Sequence, residues 1–112
     1  MIGDARLLAA LAGVVKRANA DGVSVCARAT TRCVFRFAYD AIHQSLVQEG
    51  VNVIVRVIQG RRVGVASADT REPQGLSRCA RAAEAIARHS PPQESLAPLP
   101  ARHRLTTKAD YV

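Results

Sequence analysis

The cysteines and histidines are the residues of this 112-residue chain that could bind a metal ion or act as nucleophile and base. They are Cys26, Cys33, Cys79, His43, His89 and His103. A zinc site needs about four convergent ligands, and structural sites usually draw them from short pairs such as Cys-x-x-Cys. No such pair occurs here, and the odd spacing of Cys26 and Cys33 puts them on opposite sides of a predicted strand. The spacing therefore favours buried or partly exposed free thiols over a metal site.

Catalysis by a cysteine and binding of phosphate by a glycine-rich loop are not indicated either. A cysteine–histidine pair brought together by folding stays open as an alternative, but no cysteine has the neighbouring residues of a known nucleophile motif. Gly60 and Gly64 lie within a predicted hairpin, and no lysine at the start of a helix follows them. We interpret them as turn and close-packing glycines. We expect no catalytic residue and no bound cofactor in this chain.

Arginines recur on one face of the predicted sheet. Arg28, Arg32 and Arg36 occupy even positions of one predicted strand, and Arg56 occupies an even position of another. Apolar side chains lie among them, as on a surface that docks another protein. The candidate docking face consists of Arg28, Arg32, Arg36, Arg56, Ile54 and Ile58. A solvated face without a partner is the alternative interpretation.

The formal net charge of +7 raises the question of nucleic-acid binding. The basic residues are scattered, however, and no run is longer than the pairs Lys16-Arg17 and Arg61-Arg62. Arginine outnumbers lysine by 14 to 2, which a GC-rich coding sequence explains as well as phosphate recognition does. Recognition of RNA by a sheet needs aromatic side chains on the open face, and Phe35 and Phe37 have the opposite parity. A stand-alone basic module for nucleic acid is therefore the alternative function.

Cysteine usage and hydropathy indicate a protein of the reducing cytoplasm. Three cysteines are an odd number, which makes a poor disulfide framework. The apolar stretch 7–15 is shorter than the roughly 20 residues that cross a bilayer. It also lacks the basic leader of a signal peptide, because Asp4 precedes it, and Lys16-Arg17 follows it. We expect a cytoplasmic protein without membrane contact.

The elements that must position these residues are organised around residues 51–67. This stretch is rich in β-branched residues and breaks only at Gln59-Gly60, where glycine can adopt the positive φ of a tight hairpin turn. The odd-numbered valines from Val51 to Val57 fall on one face and require a hydrophobic cover. A lone hairpin is not stable in water, so the rest of the chain must add strands and helices.

A helix and two further strands are predicted upstream. Asp4 can cap the helix, and Asp21-Gly22 ends it with a glycine suited to the left-handed conformation. The apolar stripe of this helix consists of Leu7, Leu8, Leu11, Val14, Val15 and Ala18. Residues 23–39 alternate with the period of a strand, and their length predicts a bulge near Thr30-Thr31. Residues 42–48 form a weaker strand that a turn at Glu49-Gly50 joins to the hairpin.

A second helix and a proline-rich tail complete the predicted architecture. The helix starts near Pro73 and has an apolar stripe of Leu76, Cys79, Ala80, Ala83, Ile86 and Ala87. We therefore predict an α+β fold of order α-β-β-β-β-α, with a four-stranded antiparallel meander sheet and both helices on one face. Phe35 and Phe37 belong to that covered face. Residues 1–90 form the domain, and residues 91–112 form a proline-rich linker or tail.

Residues 60–67 read Gly-Arg-Arg-Val-Gly-Val-Ala-Ser, and a helix with Ala83 and Ala87 follows them. Ser90-Pro91-Pro92 and Leu99-Pro100 come next. With the N-terminal helix and the long alternating strand in the same order, the chain resembles the N-terminal domain of the TldD/PmbA family over roughly residues 4–100.

This resemblance implies a longer parent protein. Members of the family are linked to zinc-dependent proteolysis and to the maturation of ribosomally made peptides, and an older name ties them to modulation of DNA gyrase. The zinc-binding HExxxH helix belongs to a later part of TldD-type chains, and PmbA-type partners lack it. Nothing in this sequence matches that helix. Any zinc cofactor would therefore lie in the C-terminal domain of a TldD-type parent.

We therefore expect a non-catalytic N-terminal module of a TldD/PmbA-like metallopeptidase system for peptide maturation or proteolysis. Its expected role is shaping of the substrate cleft and subunit association. Its expected partners are a C-terminal domain or partner subunit of the same family, and a peptide substrate in the assembled enzyme. Self-association into a homo-oligomer is expected at high concentration. The TldD-type and PmbA-type branches both stay open.

Overall fold

The computed structural model describes residues 5–101, in which two helices pack on a three-stranded antiparallel sheet. The order is α1 (Ala5–Arg17), β1 (Gly22–Ala38), β2 (Ala41–Gln59), β3 (Arg62–Ala68) and α2 (Pro73–His89). The strands form a meander with β2 in the middle. The α+β class, the meander and the shared face of the helices agree with the prediction, but the number of strands does not. Neither helix is long and apolar enough to cross a membrane.

The predicted four-stranded sheet is wrong because no turn forms at Glu49-Gly50. β2 continues through both residues, which lie opposite Thr31 and Thr30 of β1. β1 has 17 residues, and its pairing with β2 continues without a register shift from Gly22 opposite Ile58 to Arg36 opposite Gln44. The two strands predicted at 42–48 and 51–59 are therefore one strand of 19 residues.

The predicted bulge at Thr30-Thr31 is also wrong. The register of β1 and β2 is regular there and shifts between Arg36 and Phe37. Arg36 pairs with Gln44 and Phe37 pairs with Ile42, so His43 is the extra residue. The bulge therefore lies close to the turn that joins the two strands, and the middle of the ribbon is uninterrupted.

Helix α1 ends earlier than predicted, at Arg17. Gly22 begins β1 and does not have a positive φ, so it does not end the helix. Asp21 accepts a hydrogen bond of 2.6 Å from the backbone N–H of Gly60, which ties the loop before β1 to the β2–β3 turn. The predicted cap, Asp4, lies outside the described residues.

The core lies between the helices and the odd-numbered face of β2, as predicted. Val53, Val55 and Val57 are fully buried. The residues that cover them are Val14 of α1 and Leu76, Cys79, Ala80, Ala83 and Ala87 of α2. Ile86, predicted for the same stripe, is exposed because α2 turns that position away from the sheet. Leu8 and Val15 of α1 are exposed in the same way.

Gly64 of β3 sets the distance between the sheet and α2. A Cβ atom at this position would overlap the carbonyl oxygen of Ala83 and the backbone nitrogen of Ala87. The helix backbone therefore lies directly on the strand backbone, which only glycine on the strand and alanine on the helix allow. This close approach brings Leu76 and Cys79 onto the valines of β2.

Phe35 and Phe37 are not in the core, contrary to the prediction. They are 52% and 70% exposed. The two helices, of 13 and 17 residues, are about 20 and 26 Å long. Strands of 17 and 19 residues extend over about 55–65 Å, and the molecule measures 60 × 34 × 28 Å. The helices therefore cover one half of the ribbon, and residues 30–50 project beyond them as an arm.

The two hairpin turns use different backbone chemistry. Gly60 has a φ of 60°, as predicted, and Arg61 completes a two-residue turn between Gln59 and Arg62. At the tip of the arm, Tyr39 and Asp40 have φ values of 52° and 58°. A type I′ turn needs positive φ at both central residues and favours Asn-Gly, so Tyr39 in particular is strained there.

We predict that Gly64→Ala destabilises the domain by about 3 kcal/mol, because neither backbone neighbour can move away without separating α2 from the sheet. Urea denaturation measures the change in the free energy of unfolding. Gly50→Ala is the matched control, since a Cβ atom there meets nothing within 4 Å. Its effect should stay within about 1 kcal/mol. Equal losses in the two variants would contradict the close-packing role of Gly64.

We predict that the double change Tyr39→Asn and Asp40→Gly stabilises the arm by about 1–2 kcal/mol, because it relieves positive φ at a bulky residue. Amide hydrogen exchange near the tip should slow about tenfold. Gly60→Ala at the other turn places a side chain at a residue with positive φ and should destabilise the domain by about 1 kcal/mol. Unchanged exchange near the tip would show that the turn stores no strain.

Candidate docking surface

The three cysteines occupy two kinds of environment in the structure. Cys26 and Cys33 are exposed, and Cys79 is buried against the sheet. Burial raises the pKa of the Cys79 thiol, and a hydrogen bond with the backbone of Val55 lowers it by less. A thiol held protonated in this way packs as a small apolar side chain and is a poor nucleophile.

The two histidines within residues 5–101 lie in different elements, His43 in β2 and His89 in α2. The Nε2 atom of His43 lies 3.2 Å from the carbonyl oxygen of Ala38, so this nitrogen donates a hydrogen bond across the bulge. His89 lies at the end of α2. Among residues 5–101, no group of three or more His, Cys, Asp or Glu side chains could hold a metal ion. His103 lies outside the described residues.

The predicted arginines share the face of the sheet opposite the helices, which we name the open face. The three arginines of β1 have neutral direct cross-strand neighbours. The pairs are Arg28 with Asn52, Arg32 with Gln48 and Arg36 with Gln44. Arg56 lies between Ser24 of β1 and Val65 of β3 and is half-buried. The three arginines of β1 are exposed and follow one another every fourth residue, about 13 Å apart.

The two isoleucines of the open face differ in exposure. Ile54 is 42% exposed and lies between Cys26 and Ser67. Ile58 is only 8% exposed, because residues 96–99 lie over it. Ile58 and Gly22 line one groove with residues 96–99. The side chain of Leu99 approaches to within 2.9 Å of the position of a Cβ atom on Gly22, so it closes over this end of the face.

Residues 90–94, which follow α2, are held in place by Arg61 and Arg62 at the β2–β3 turn. The Arg61 guanidinium donates hydrogen bonds to the carbonyl oxygens of Gln93 (2.9 Å) and Glu94 (2.5 Å). The backbone N–H of Gln93 donates in return to the Arg61 carbonyl oxygen at 2.8 Å. Arg62 donates to the carbonyl oxygen of Ser90 at 2.7 Å. Residues 90–94 are therefore bound along the turn.

A shallow groove marks the place where the arm leaves the body of the domain. Arg28 and Arg71 line it together with Glu49 and Asp69, so it carries both signs of charge. The Nδ2 atom of Asn52 donates a hydrogen bond of 2.8 Å to Oδ1 of Asp69. This bond ties the loop between β3 and α2 to the base of the arm.

The exposed apolar face of the arm was not anticipated from the sequence. Phe35, Phe37, Ile42 and Val47 are between 52% and 70% exposed, on the side of the sheet that carries the helices. Alternation placed the phenylalanines on the correct face, but it says nothing about how far the helices extend. The available signal was length, because 17 alternating residues extend beyond any helix of four or five turns.

The chain is similar to one protein-family model and to a solved structure. The family model described as PmbA/TldA metallopeptidase domain 1 matches residues 23–87. The crystal structure of TldE from Thermococcus kodakarensis has a TM-score of 0.73 and 21% sequence identity, and the match covers 91% of this chain. It covers 24% of TldE, so the chain spans about a quarter of the length of that relative. No curated protein sequence matches the chain.

The match to the family model extends from β1 to the last turn of α2, which is more than half of the chain. At 21% identity, the likeness to TldE shows the fold alone, and that fold agrees with the family assignment. The resemblance drawn from the sequence is confirmed: the chain belongs to the PmbA/TldD family and corresponds to its first domain.

Proposed function

We propose that this chain is a non-catalytic module of a PmbA/TldD-type metallopeptidase system, where it helps to shape the substrate cleft and docks on another domain or subunit. The family membership supports the link to a metallopeptidase, because the matching family model is described as the first domain of one. The observation that carries the docking role is the row of exposed arginines on the open face.

The arginine row has the properties of a docking surface. Its three guanidinium groups extend over about 26 Å of β1 and face neutral amide side chains across the ribbon. A rigid row of cations favours a partner that presents carboxylates at a matching spacing, since arginine binds them with charge-assisted hydrogen bonds. Ile54 adds an apolar contact next to the row. The open face thus matches an acidic surface of a partner domain or subunit.

The zinc ion that the family implies does not fit the described part of this chain. Residues 5–101 bring no three potential ligands together, so we derive no catalytic step from them. In the proposed assembly, the metal and the peptide-cleaving residues are supplied by the C-terminal domain or the partner subunit. This chain contributes the docking surface of its open face.

Nucleic-acid binding is the alternative function, and the placement of the aromatic residues disfavours it. Phe35 and Phe37 are exposed, but they lie on the face opposite Arg32 and Arg36. A sheet that binds single-stranded RNA stacks bases on aromatic side chains next to its cations. Here the two kinds of side chain are separated by the thickness of the ribbon.

We predict that Arg28→Gln, Arg32→Gln and Arg36→Gln together weaken binding to a separately produced catalytic domain of the same family at least tenfold. Calorimetry measures the dissociation constant at several salt concentrations, and weakening should be greatest at low salt. The matched control removes the same charge from the exposed side of α2, by Arg78→Gln, Arg81→Gln and Arg88→Gln. It should leave the affinity within about twofold.

Equal weakening by both triple variants would show that the arginine row affects binding only through the net charge of the chain. Absence of binding by the parent chain would contradict the docking role. Salt-dependent binding of an oligonucleotide that is lost in the open-face variant and retained in the α2 variant would favour the alternative function.

A further inference from the structure

The helix-side face of the arm is an apolar surface that no described residue covers. Phe37 lies opposite Ile42, Phe35 opposite Ser45, and Cys33 opposite Val47, so these side chains form one continuous strip. The large side chains of the strip are 52–70% exposed. An apolar patch of this kind on a soluble domain usually marks an interface. We infer that this strip packs against the same strip of a second copy of the chain.

The charge pattern of the arm is compatible with a second copy as the occupant. The strip itself carries no arginine, because every arginine of the arm has the opposite parity. Glu49, opposite Thr31, is the charged residue at its base. Two copies that meet strip to strip turn their arginine rows outward, to opposite sides of the pair, which keeps the like charges apart. An acidic or basic partner would gain little on this face, where it would have to desolvate its charges against apolar side chains.

Twofold symmetry suits the shape of the strip. In an isologous contact the same patch is used twice, so it must be complementary to itself. A twisted two-stranded ribbon with an apolar face satisfies this requirement, because two such faces pack about 10 Å apart like the sheets of a sandwich. Tyr39, fully exposed at the tip, can extend the contact onto the neighbouring copy.

The area of the strip sets the expected strength of the contact. Its four large side chains expose roughly 400–500 Å² per copy, and the pair would bury about 1,000 Å² with the surrounding backbone. This area lies at the lower limit for specific association. The dimer is therefore weak and forms at high protein concentration.

Pairing along the free edge of β1 is disfavoured by comparison. In the register centred on Arg32, an antiparallel pairing of two β1 edges would place Arg28 of one copy opposite Arg36 of the other and Arg32 opposite Arg32. Like charges directly across a strand pair are destabilising, and charged residues on edge strands prevent such pairing. The contact between two copies is thus made by the apolar faces and not by the β1 edges.

This inference concerns the face opposite the arginine row and does not rest on the proposed function. Sedimentation velocity of the 112-residue chain over increasing concentration should show a monomer–dimer equilibrium. The double change Ile42→Thr and Val47→Thr keeps β-branching and should raise the dissociation constant of the dimer at least tenfold. The matched control is Val34→Thr and Leu46→Thr, a cross-strand pair on the other face of the same arm. It should leave the equilibrium unchanged.

The exposed cysteines provide an independent measurement. Cys33 lies within the strip, whereas Cys26 lies on the open face. Labelling of Cys33 by a maleimide should slow as the concentration of the chain rises, and labelling of Cys26 should not. The variants Cys26→Ser and Cys33→Ser isolate the two rates. A chain that stays monomeric at all concentrations, equal effects of the two double variants, or equal protection of both cysteines would overturn the inference.

Discussion

The contact between β3 and α2 at Gly64 is the constraint on which the rest of the structure depends. Because Gly64 has no side chain, Ala83 and Ala87 bring the helix backbone onto the strand. At that distance Leu76 and the buried valines of β2 fill the space between the two layers. A larger residue at position 64 would lift the helix from the sheet and expose this small core, which is built mainly from alanine and valine.

The small core has a consequence for the long strands. Two short helices cover only the half of the sheet in which β3 is present, and the ribbon of β1 and β2 continues beyond them. The arm consequently has two exposed faces. Strand alternation gives these faces different chemistry, with arginines on one side and phenylalanine, isoleucine and valine on the other. Each face therefore suits a different kind of partner.

The chain also limits its own open face. Residues 90–94 are bound by Arg61 and Arg62, and the residues that follow them lie over Ile58 and Gly22. One end of the predicted docking face is therefore already occupied by the same chain. The accessible part of the face extends from Ile54 along the arm, where the backbone is farthest from the core.

The sequence by itself determined the features that depend on neighbouring residues. Alternation assigned Val53, Val55 and Arg56 to their faces, helical periodicity found most of the stripe of α2, and Gln59-Gly60 marked a real turn because glycine accepts positive φ. The motif at residues 60–67 and the helix after it led to the correct family.

The tertiary structure decided the features that depend on distant parts of the chain. Glu49-Gly50 is compatible with a turn or a strand, and in the structure both residues continue β2 and pair with Thr31 and Thr30 of β1. Phe35 has the parity of a core residue, yet it is exposed because no helix reaches it. Ile58 has the parity of the open face, yet it is buried because a segment about 40 residues later in the sequence folds over it. Parity is a local property of a strand, whereas burial depends on which other elements reach the same place.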